Sequence, residues 1–148
     1  MGQVIVKKKD VNDASARGNG EYTSDQHRFL FKIEGCDTSR WMFICIISKH
    51  VPIVPKSCNS RSSYGCGGGA CVHVDGLKQS EFNGYRCDIE KNDILQLFID
   101  CDEEIIRLKN ERTRKEFELK VDTSKCQFSW QVNVHLYWTN DRVRILQM

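Results

Sequence analysis

The chain has 148 residues, which is enough for one domain with a hydrophobic core. Its 22 lysines and arginines nearly balance 20 aspartates and glutamates, and a net charge of +2 is too small to favour a nucleic-acid-binding surface. No apolar stretch reaches the length of a membrane-spanning helix, and no secretory-signal pattern is present. We therefore expect a cytoplasmic chain that binds neither nucleic acid nor membrane.

The first predicted elements are strands, because apolar residues recur at every second position. In the segment 27–34, Phe29, Phe31 and Ile33 fall on one face and charged residues on the other. The run WMFICIIS at 41–48 is apolar almost throughout, which indicates a strand buried on both faces. The later segments predict a central strand at 93–100 and half-buried strands at 117–122 (Phe117, Leu119 and Val121 inward), 131–136 (Val132, Val134 and Leu136 inward) and 142–146 (Val143 and Ile145 inward).

Residues 102–121 are charged and rich in good helix formers, so a helix is the alternative to strands there. A docked helix needs an apolar residue every three or four positions, and the middle of this segment has none for two turns. Two strands joined by a polar turn at 110–114 fit the pattern better. The facing residues are then Ile106 and Leu108 on one strand and Phe117 and Leu119 on the other.

Turn-forming residues separate the predicted strands, and little of the chain has a helical period. The glycine-rich stretch SSYGCGGGACV at 62–72 is best interpreted as a strand ending at Cys66, a turn with positive φ, and a new strand from Ala70. Many short strands with regular turns predict an all-β fold with little or no helix, built as an antiparallel sandwich or barrel.

The same stretch suggests two kinds of ligand site. A phosphate loop needs its glycines to be followed by Lys-Ser/Thr and a helix, and a strand follows here, so we exclude it. Cys66, Cys71 and His73 have a spacing that zinc ligands use, and Cys58 is the nearest further candidate. No second close cysteine pair accompanies them, and Cys71 and His73 fit better on the exposed polar face of a strand. We therefore expect no metal and no cofactor.

The chemistry-bearing side chains do not form a catalytic pattern. Eight cysteines are irregularly spaced, and several sit in apolar runs, so we expect reduced thiols rather than a disulfide framework. No local signature marks a cysteine nucleophile, and Asp100 and Asp102 precede a turn, where aspartate has a structural use. The sequence therefore predicts a non-enzymatic protein.

Tyr137 and Trp138 are the residues that point most directly to binding. They lie at the junction between two predicted strands, where loops are normally polar. Both residue types are enriched at the centres of protein interfaces. The alternative is that Trp138 caps the end of the core.

Four stretches, in order, resemble the motifs of the SPRY domain, a bent two-sheet antiparallel β-sandwich that serves as a protein-recognition module. Cys66 stands in the place of a tryptophan in the second motif, and Asp25 and Asn92 stand where glycine is common in the first and third. The likeness covers about residues 17–146. The stretches are RGNGEYTSDQHRFLFKIEG (17–35), SSYGC (62–66), NDILQLFIDCDEEIIRLKNE (92–111) and QFSWQVNVHLYWTNDRVRIL (127–146).

The resemblance implies a module that recognises a peptide or a protein surface through loops at one end of the sandwich. It also suggests a role as the substrate-recognition part of a ubiquitin-ligase system. SPRY domains of the adaptor type bind peptides through an early Arg-Gly loop, matched by Arg17 and Gly18, and through a Val-Trp-Gly loop, matched by Tyr137, Trp138 and Thr139.

A third contact of those adaptors, an aromatic residue, falls near Cys58, where this chain has none, so the family's peptide preference does not carry over. Trp138 and Tyr137 would supply an apolar platform, and Arg17 and Arg61 would pair with acidic or amide groups. The residues predicted to contact a partner are Arg17, Gly18, Arg61, Tyr137, Trp138 and Thr139.

The expected domain organisation is a sandwich over residues 17–148, with residues 1–16 forming an N-terminal strand or extension that packs on it. We expect a monomeric domain whose ligand is a protein or a short peptide. The alternative function is that of a carbohydrate-binding β-sandwich, in which Trp138 would stack on a sugar ring.

Overall fold

The computed structural model describes residues 4–7, 13–37 and 41–147, and almost all of its regular structure is antiparallel strand. Two short 3₁₀ helices, Ser57–Asn59 and Phe82–Gly84, interrupt the strands. Within the described ranges, no helix is long and apolar enough to cross a membrane. The strands are β1 (Val4–Val6), β2 (Ala14–Arg17), β3 (Gln26–Gly35), β4 (Met42–Ser48), β5 (Tyr64–Gly67), β6 (Cys71–Val74), β7 (Leu77–Ser80), β8 (Ile94–Asp100), β9 (Ile105–Asn110), β10 (Glu116–Lys120), β11 (Trp130–Leu136) and β12 (Arg142–Gln147).

These strands form two six-stranded sheets that pack face to face, which confirms the predicted β-sandwich. Sheet A has the order β1-β12-β3-β8-β9-β10, and sheet B has the order β2-β11-β4-β5-β6-β7. The N-terminal strands β1 and β2 lie at the edges of different sheets. The extension predicted over residues 1–16 is only partly described, because residues 1–3 and 8–12 lie outside the described ranges.

The core lies between the two sheets and contains the residues that alternation places there. Phe29, Phe31 and Ile33 of β3 are buried in it, and so are the inward residues predicted for β11. Strand β4 is buried along its whole length, and β8 lies between β3 and β9 as a central strand. The period-two pattern therefore identified β3, β9, β10, β11 and β12 and the face that each turns inward.

Residues 105–120 form a hairpin rather than a helix. Strand β9 pairs with β10, and the partners across the pair are Leu108 with Phe117 and Ile106 with Leu119. The prediction of two strands with a polar turn is confirmed, because the turn lacks the apolar residues that would dock a helix on the core.

Two residues at positions where the resembled motifs commonly have glycine have left-handed backbone. Asp25 has φ of 66° and Asn92 has φ of 74°. Aspartate and asparagine accept this conformation more readily than other residues with a Cβ atom. The backbone N–H of Asn92 donates to the carbonyl of Ile33, so the left-handed turn also anchors the start of β8 to β3. Both positions therefore have left-handed backbone without a glycine.

Candidate functional site

The outer face of sheet B, which points away from the sandwich core, carries a cross-strand row of unusual composition. Asn133 of β11 pairs with Cys45 of β4, Cys45 pairs with Gly65 of β5, and Gly65 pairs with His73 of β6. Paired residues point to the same side of a sheet, so these side chains share one face. An added Cβ at Gly65 would lie 2.7 Å from the Cys45 Sγ. Glycine is therefore required between Cys45 and His73.

A second row lies two residues along the same face. His135 of β11 pairs with Phe43 of β4, which pairs with Gly67 of β5. The Phe43 ring contacts the imidazoles of both His73 and His135, with centroid distances of 4.5 and 5.9 Å. The two rows form a compact patch of cysteine, histidine, asparagine and one aromatic ring.

Residues 49–59 fold back over this patch and remove it from solvent. The Arg17 guanidinium holds the segment through hydrogen bonds from Nη1 to the Val51 carbonyl at 2.5 Å and from Nη2 to the Pro52 carbonyl at 3.4 Å. The Ser15 hydroxyl donates to the Pro55 carbonyl at 2.8 Å. The 3₁₀ helix at the end of the segment places Cys58 against Phe43 and Cys45, where its side chain is buried.

The expectation that Cys71 and His73 lie on an exposed strand face is wrong. Both are buried, and so is Val72 on the opposite face. The strand alternates as predicted, but the covering segment 49–59 buries the side that would otherwise meet water. Cys66 lies in the core between the sheets, on the other side of sheet B from His73, so these two do not form a common site.

Several buried polar atoms of the patch lack a hydrogen-bond partner. His73 Nε2 lies 3.0 Å from Asn59 Oδ1, and His135 Nε2 lies 2.9 Å from Asp13 Oδ1, but the Nδ1 atoms of both rings have no partner. Both amide atoms of Asn133 are also unpaired. Burial lowers the pKa of His135, against the raising effects of Cys45 and Asp13, so its ring is neutral near pH 7.

Three side chains of this patch could hold a metal ion. The ligand atoms of Cys45, Cys58 and His73 all lie within 4.8 Å of one another. The Cys58 thiol donates a hydrogen bond that lowers the pKa of Cys45, and His73 adds to the effect, while burial opposes it. The sequence pattern suggested Cys66, Cys71 and His73, with Cys58 as a further candidate, and it missed Cys45, which lies in an apolar run 28 residues before His73.

A cavity of about 390 Å³ opens beside the patch. Its wall includes the aromatic rings of Trp41 and Tyr137 and the ammonium groups of Lys56 and Lys78. Lys78 Nζ lies 4.6 Å from the centroid of the Trp41 ring, in a cation–π contact. Asp13 also lines the cavity, and its Oδ2 lies 3.7 Å from Lys56 Nζ, so the wall combines aromatic rings with two ammonium groups and one carboxylate.

Trp138 lies next to this cavity, outside the buried core. Its ring packs edge-on against Tyr137, with centroids 4.9 Å apart, and 41% of the residue is exposed. The Asp141 carboxylate accepts the Trp138 backbone N–H at 2.9 Å, and burial raises the pKa of Asp141. The exposure favours a role at the surface over the alternative in which Trp138 caps the core.

The other predicted contact residues are distributed over the molecule. Arg17 and Gly18 line a second cavity, of about 400 Å³, and the Arg17 guanidinium is engaged with segment 49–59. Arg61 pairs with Asp75 at 2.7 Å. Arg61 lies near the end of β4 that carries Ser48, and Trp138 lies beyond the end that carries Met42. The two residues are therefore at opposite ends of sheet B. Thr139 lines a third hollow, beside Arg142.

The cavity residues Trp41, Lys56 and Lys78 were not predicted. Trp41 directly precedes the buried strand β4, and its position at the start of an apolar run made it look like part of the core. Lys56 and Lys78 carry no local signal. They approach Trp41 and Tyr137 only because segment 49–59 and strand β7 meet on the outer face of sheet B.

Comparison with solved structures shows that this chain has the fold of SPRY domains. The SPRY domain of human HERC1 superposes with a TM-score of 0.76 at 12% sequence identity, over 99% of this chain and 89% of that one. A human SPRY domain gives 0.71 at 9% identity, over 98% and 91%. The TRIM65 PSpry domain gives 0.63 at 8% identity, over 90% and 71%. No family model and no curated protein matches the sequence.

Proposed function

We propose that this chain is a non-enzymatic protein-interaction module that binds a peptide or protein segment beside the cavity on the outer face of sheet B. The observation that carries the proposal is the exposed Trp138, held edge-on against Tyr137 at the margin of that cavity. Tryptophan and tyrosine are the residues that most often dominate the binding energy of an interface. The SPRY fold supports an interaction role by analogy.

The charge of the cavity wall suggests the chemistry of the partner. Lys56 and Lys78 bring two ammonium groups to a wall that also contains Trp41, Tyr137 and one carboxylate, Asp13, which lies 3.7 Å from Lys56 Nζ, so positive charge is in excess there. A partner segment with an apolar side chain for Trp41 and Tyr137 and an acidic side chain for the lysines would complement both features. The substrate-recognition role in a ubiquitin-ligase system is a narrower form of the same proposal.

Of the six residues predicted from sequence to contact a partner, Tyr137 and Trp138 are the centre of the proposed surface. Arg17 acts on it indirectly, because it holds segment 49–59, which supplies Lys56. Arg61 would contribute only to a partner that extends along sheet B to its other end.

Selection from a displayed peptide library tests the proposal and its partner chemistry together. The wild-type domain should enrich peptides that combine acidic and apolar residues, and Trp138→Ala should reduce their affinity at least about tenfold, as loss of an interface hot spot does. Leu146→Ala removes an exposed apolar side chain from sheet A and should leave binding unchanged. Equal binding by wild type and folded Trp138→Ala protein would refute the assignment.

Charge reversal separates the cavity from the rest of the surface. The double variant Lys56→Glu, Lys78→Glu should abolish capture of the acidic peptides, whereas Lys120→Glu on the exposed side of β10 should not. A glycan array run on the same proteins addresses the carbohydrate alternative, since binding to glycans without any peptide ligand would replace the present proposal.

A further inference from the structure

The buried cysteines and histidine on the outer face of sheet B have the arrangement of a metal site. Cys45 comes from β4, Cys58 from the 3₁₀ helix and His73 from β6, and all three side chains are buried. Their ligand atoms lie within 4.8 Å of one another. A zinc ion with tetrahedral bonds to sulfur and nitrogen holds its ligand atoms about 3.5–3.8 Å apart. The three side chains are thus already grouped on the scale of one coordination sphere.

His73 is oriented in the way that metal-bound histidines usually are. Its Nε2 lies 3.0 Å from the Asn59 side-chain carbonyl, an acceptor, so this nitrogen carries the proton. Its Nδ1 then has a lone pair, and that atom is buried without a hydrogen-bond partner. A ligating histidine commonly donates its other N–H to a carbonyl or carboxylate, which fixes the ring for the metal. Asn59 performs that function here.

Gly65 provides the space that such a site needs. It lies between Cys45 and His73 in the cross-strand row, and any Cβ there would lie 2.7 Å from the Cys45 Sγ. The absence of a side chain lets the thiol and the imidazole face each other across β5. Segment 49–59 then closes the site from above and contributes Cys58.

The residues around the cluster leave room for a fourth ligand of the metal ion, and the cavity gives access to it from solvent. The cavity of about 390 Å³ is lined by both Cys58 and His73, so an ion or a water molecule can reach the cluster from solvent. Asn133, which shares the row with Cys45, has both amide atoms buried and unpaired, and His135 Nδ1 is unpaired as well. These atoms could hydrogen-bond a water molecule that occupies a fourth coordination position.

We propose that Cys45, Cys58 and His73 form a Zn²⁺ site, with a water molecule from the cavity as the fourth ligand. Two thiolates and one imidazole are ligands that zinc prefers, and three protein ligands with one exchangeable position are a recognised zinc geometry. Binding forms two Zn–S bonds and one Zn–N bond, keeps one Zn–O bond to water, and releases the other water ligands of the hydrated ion and the two thiol protons to solvent. The site differs from the combination of Cys66, Cys71 and His73 that spacing alone suggests. The proposal goes beyond the interaction function and does not depend on it.

Titration of the full chain with Co²⁺ and then Zn²⁺ tests the site directly. Protein kept reduced and stripped with a chelator should bind one Co²⁺ per chain, with a thiolate-to-cobalt charge-transfer band and the strong visible bands of a tetrahedral site. One equivalent of Zn²⁺ should remove these bands. Wild-type protein that shows no thiolate–cobalt band under reducing conditions would overturn the proposal. Recovery of Cys45 and Cys58 as a disulfide from untreated protein, with no metal uptake after reduction, would also overturn it.

Variants within and beside the cluster distinguish ligation from general effects on folding. Cys58→Ser and His73→Gln should each weaken Zn²⁺ binding at least tenfold in a competition with a chromophoric chelator. Cys71→Ser is the matched control, because this thiol is buried on the same face but has its own contacts with the Gly69 carbonyl and the Ser80 hydroxyl. It should bind Zn²⁺ like wild type.

A Cys58→Ser protein with an unchanged cobalt spectrum, or a Cys71→Ser protein that loses metal as completely as Cys58→Ser, would each reject the assignment. Far-ultraviolet circular dichroism of the metal-free proteins verifies that the variants are folded. Peptide binding by Trp138→Ala is a separate readout, so failure of the metal proposal and failure of the interaction proposal can be told apart.

Discussion

Along β4, β5, β6 and β11, both faces of sheet B are largely buried, but they bury residues of opposite character. On the inner face, Val132, Val134 and Leu136 of β11 pack in an apolar core against sheet A. On the outer face, the intervening Asn133 and His135 lie with cysteines and a second histidine under segment 49–59. One face is closed by a whole sheet and the other by a single loop. The comparison shows that burial alone does not define a hydrophobic core in this molecule.

The largest effect is expected from truncation on the inner face. Phe31→Ala removes a fully buried ring from the core and should lower the free energy of unfolding by about 3–5 kcal/mol, because it removes apolar contacts and leaves a cavity. Urea denaturation followed by tryptophan fluorescence measures the loss. A decrease below about 1 kcal/mol would mean that the sheets do not pack as described.

On the outer face, Gly65 is a position at which any side chain would clash with its neighbours. Gly65→Ala would place a Cβ 2.3 Å from the Ile44 carbonyl oxygen and 2.7 Å from the Cys45 Sγ. Relief of these contacts requires β4 and β5 to move apart, which should cost about 1–3 kcal/mol. The same denaturation experiment gives the value. Unchanged stability would show that Cys45 does not lie over Gly65.

A buried polar residue with all its partners makes a useful contrast to the unpaired atoms of the outer face. Asp93 is buried and accepts hydrogen bonds from Arg112 Nε at 2.7 Å, from Asn110 Nδ2 at 2.8 Å and from the Glu90 N–H at 2.8 Å. Burial raises the pKa of Asp93, but these hydrogen bonds and the charge of Arg112 outweigh it and hold the pKa below the ordinary value of 3.8.

A lowered carboxyl pKa means that the stabilisation is present above pH 3.8 and is lost as the pH falls through the folded-state pKa. Asp93→Asn should therefore lower the free energy of unfolding by about 1 kcal/mol at pH 7, a modest value because the Arg112 side chain is 44% exposed and solvent screens it. The difference from wild type should shrink towards pH 3. Denaturation at both pH values measures it, and a constant difference would exclude a role for the carboxylate charge.

The smallest effect on stability is expected at Trp138, despite the size of the side chain. Because it lies outside the core and is 41% exposed, Trp138→Ala should change the free energy of unfolding by no more than about 0.5 kcal/mol. A loss approaching that of Phe31→Ala would restore the interpretation in which Trp138 caps the core. Stability and peptide binding should thus respond to different residues.

The strands could be predicted because their pattern is local. Alternation in β3 and β11 and the continuous apolar run of β4 each depend on a few neighbouring residues, and they identified the fold class and the inward faces. The hairpin of β9 and β10 was also predicted from a local pattern, because the segment between the two strands lacks the apolar residues that a docked helix would need. The site could be predicted only in part. Tyr137 and Trp138 stood out as aromatic residues at a strand junction, but Trp41, Lys56 and Lys78 did not.

For this protein, the order of residues along the chain was sufficient to establish antiparallel strands in a sandwich or barrel and an unusual aromatic pair, because strand period and loop composition are properties of short segments. The resemblance to SPRY domains implied the sandwich, and the structure has it. The register between strands and the path of segment 49–59 depend on long-range packing. They place Cys45, Gly65 and His73 in one row and Cys58 above it. That is why His73, which alternation assigned to a solvent-exposed face, lies buried among thiols.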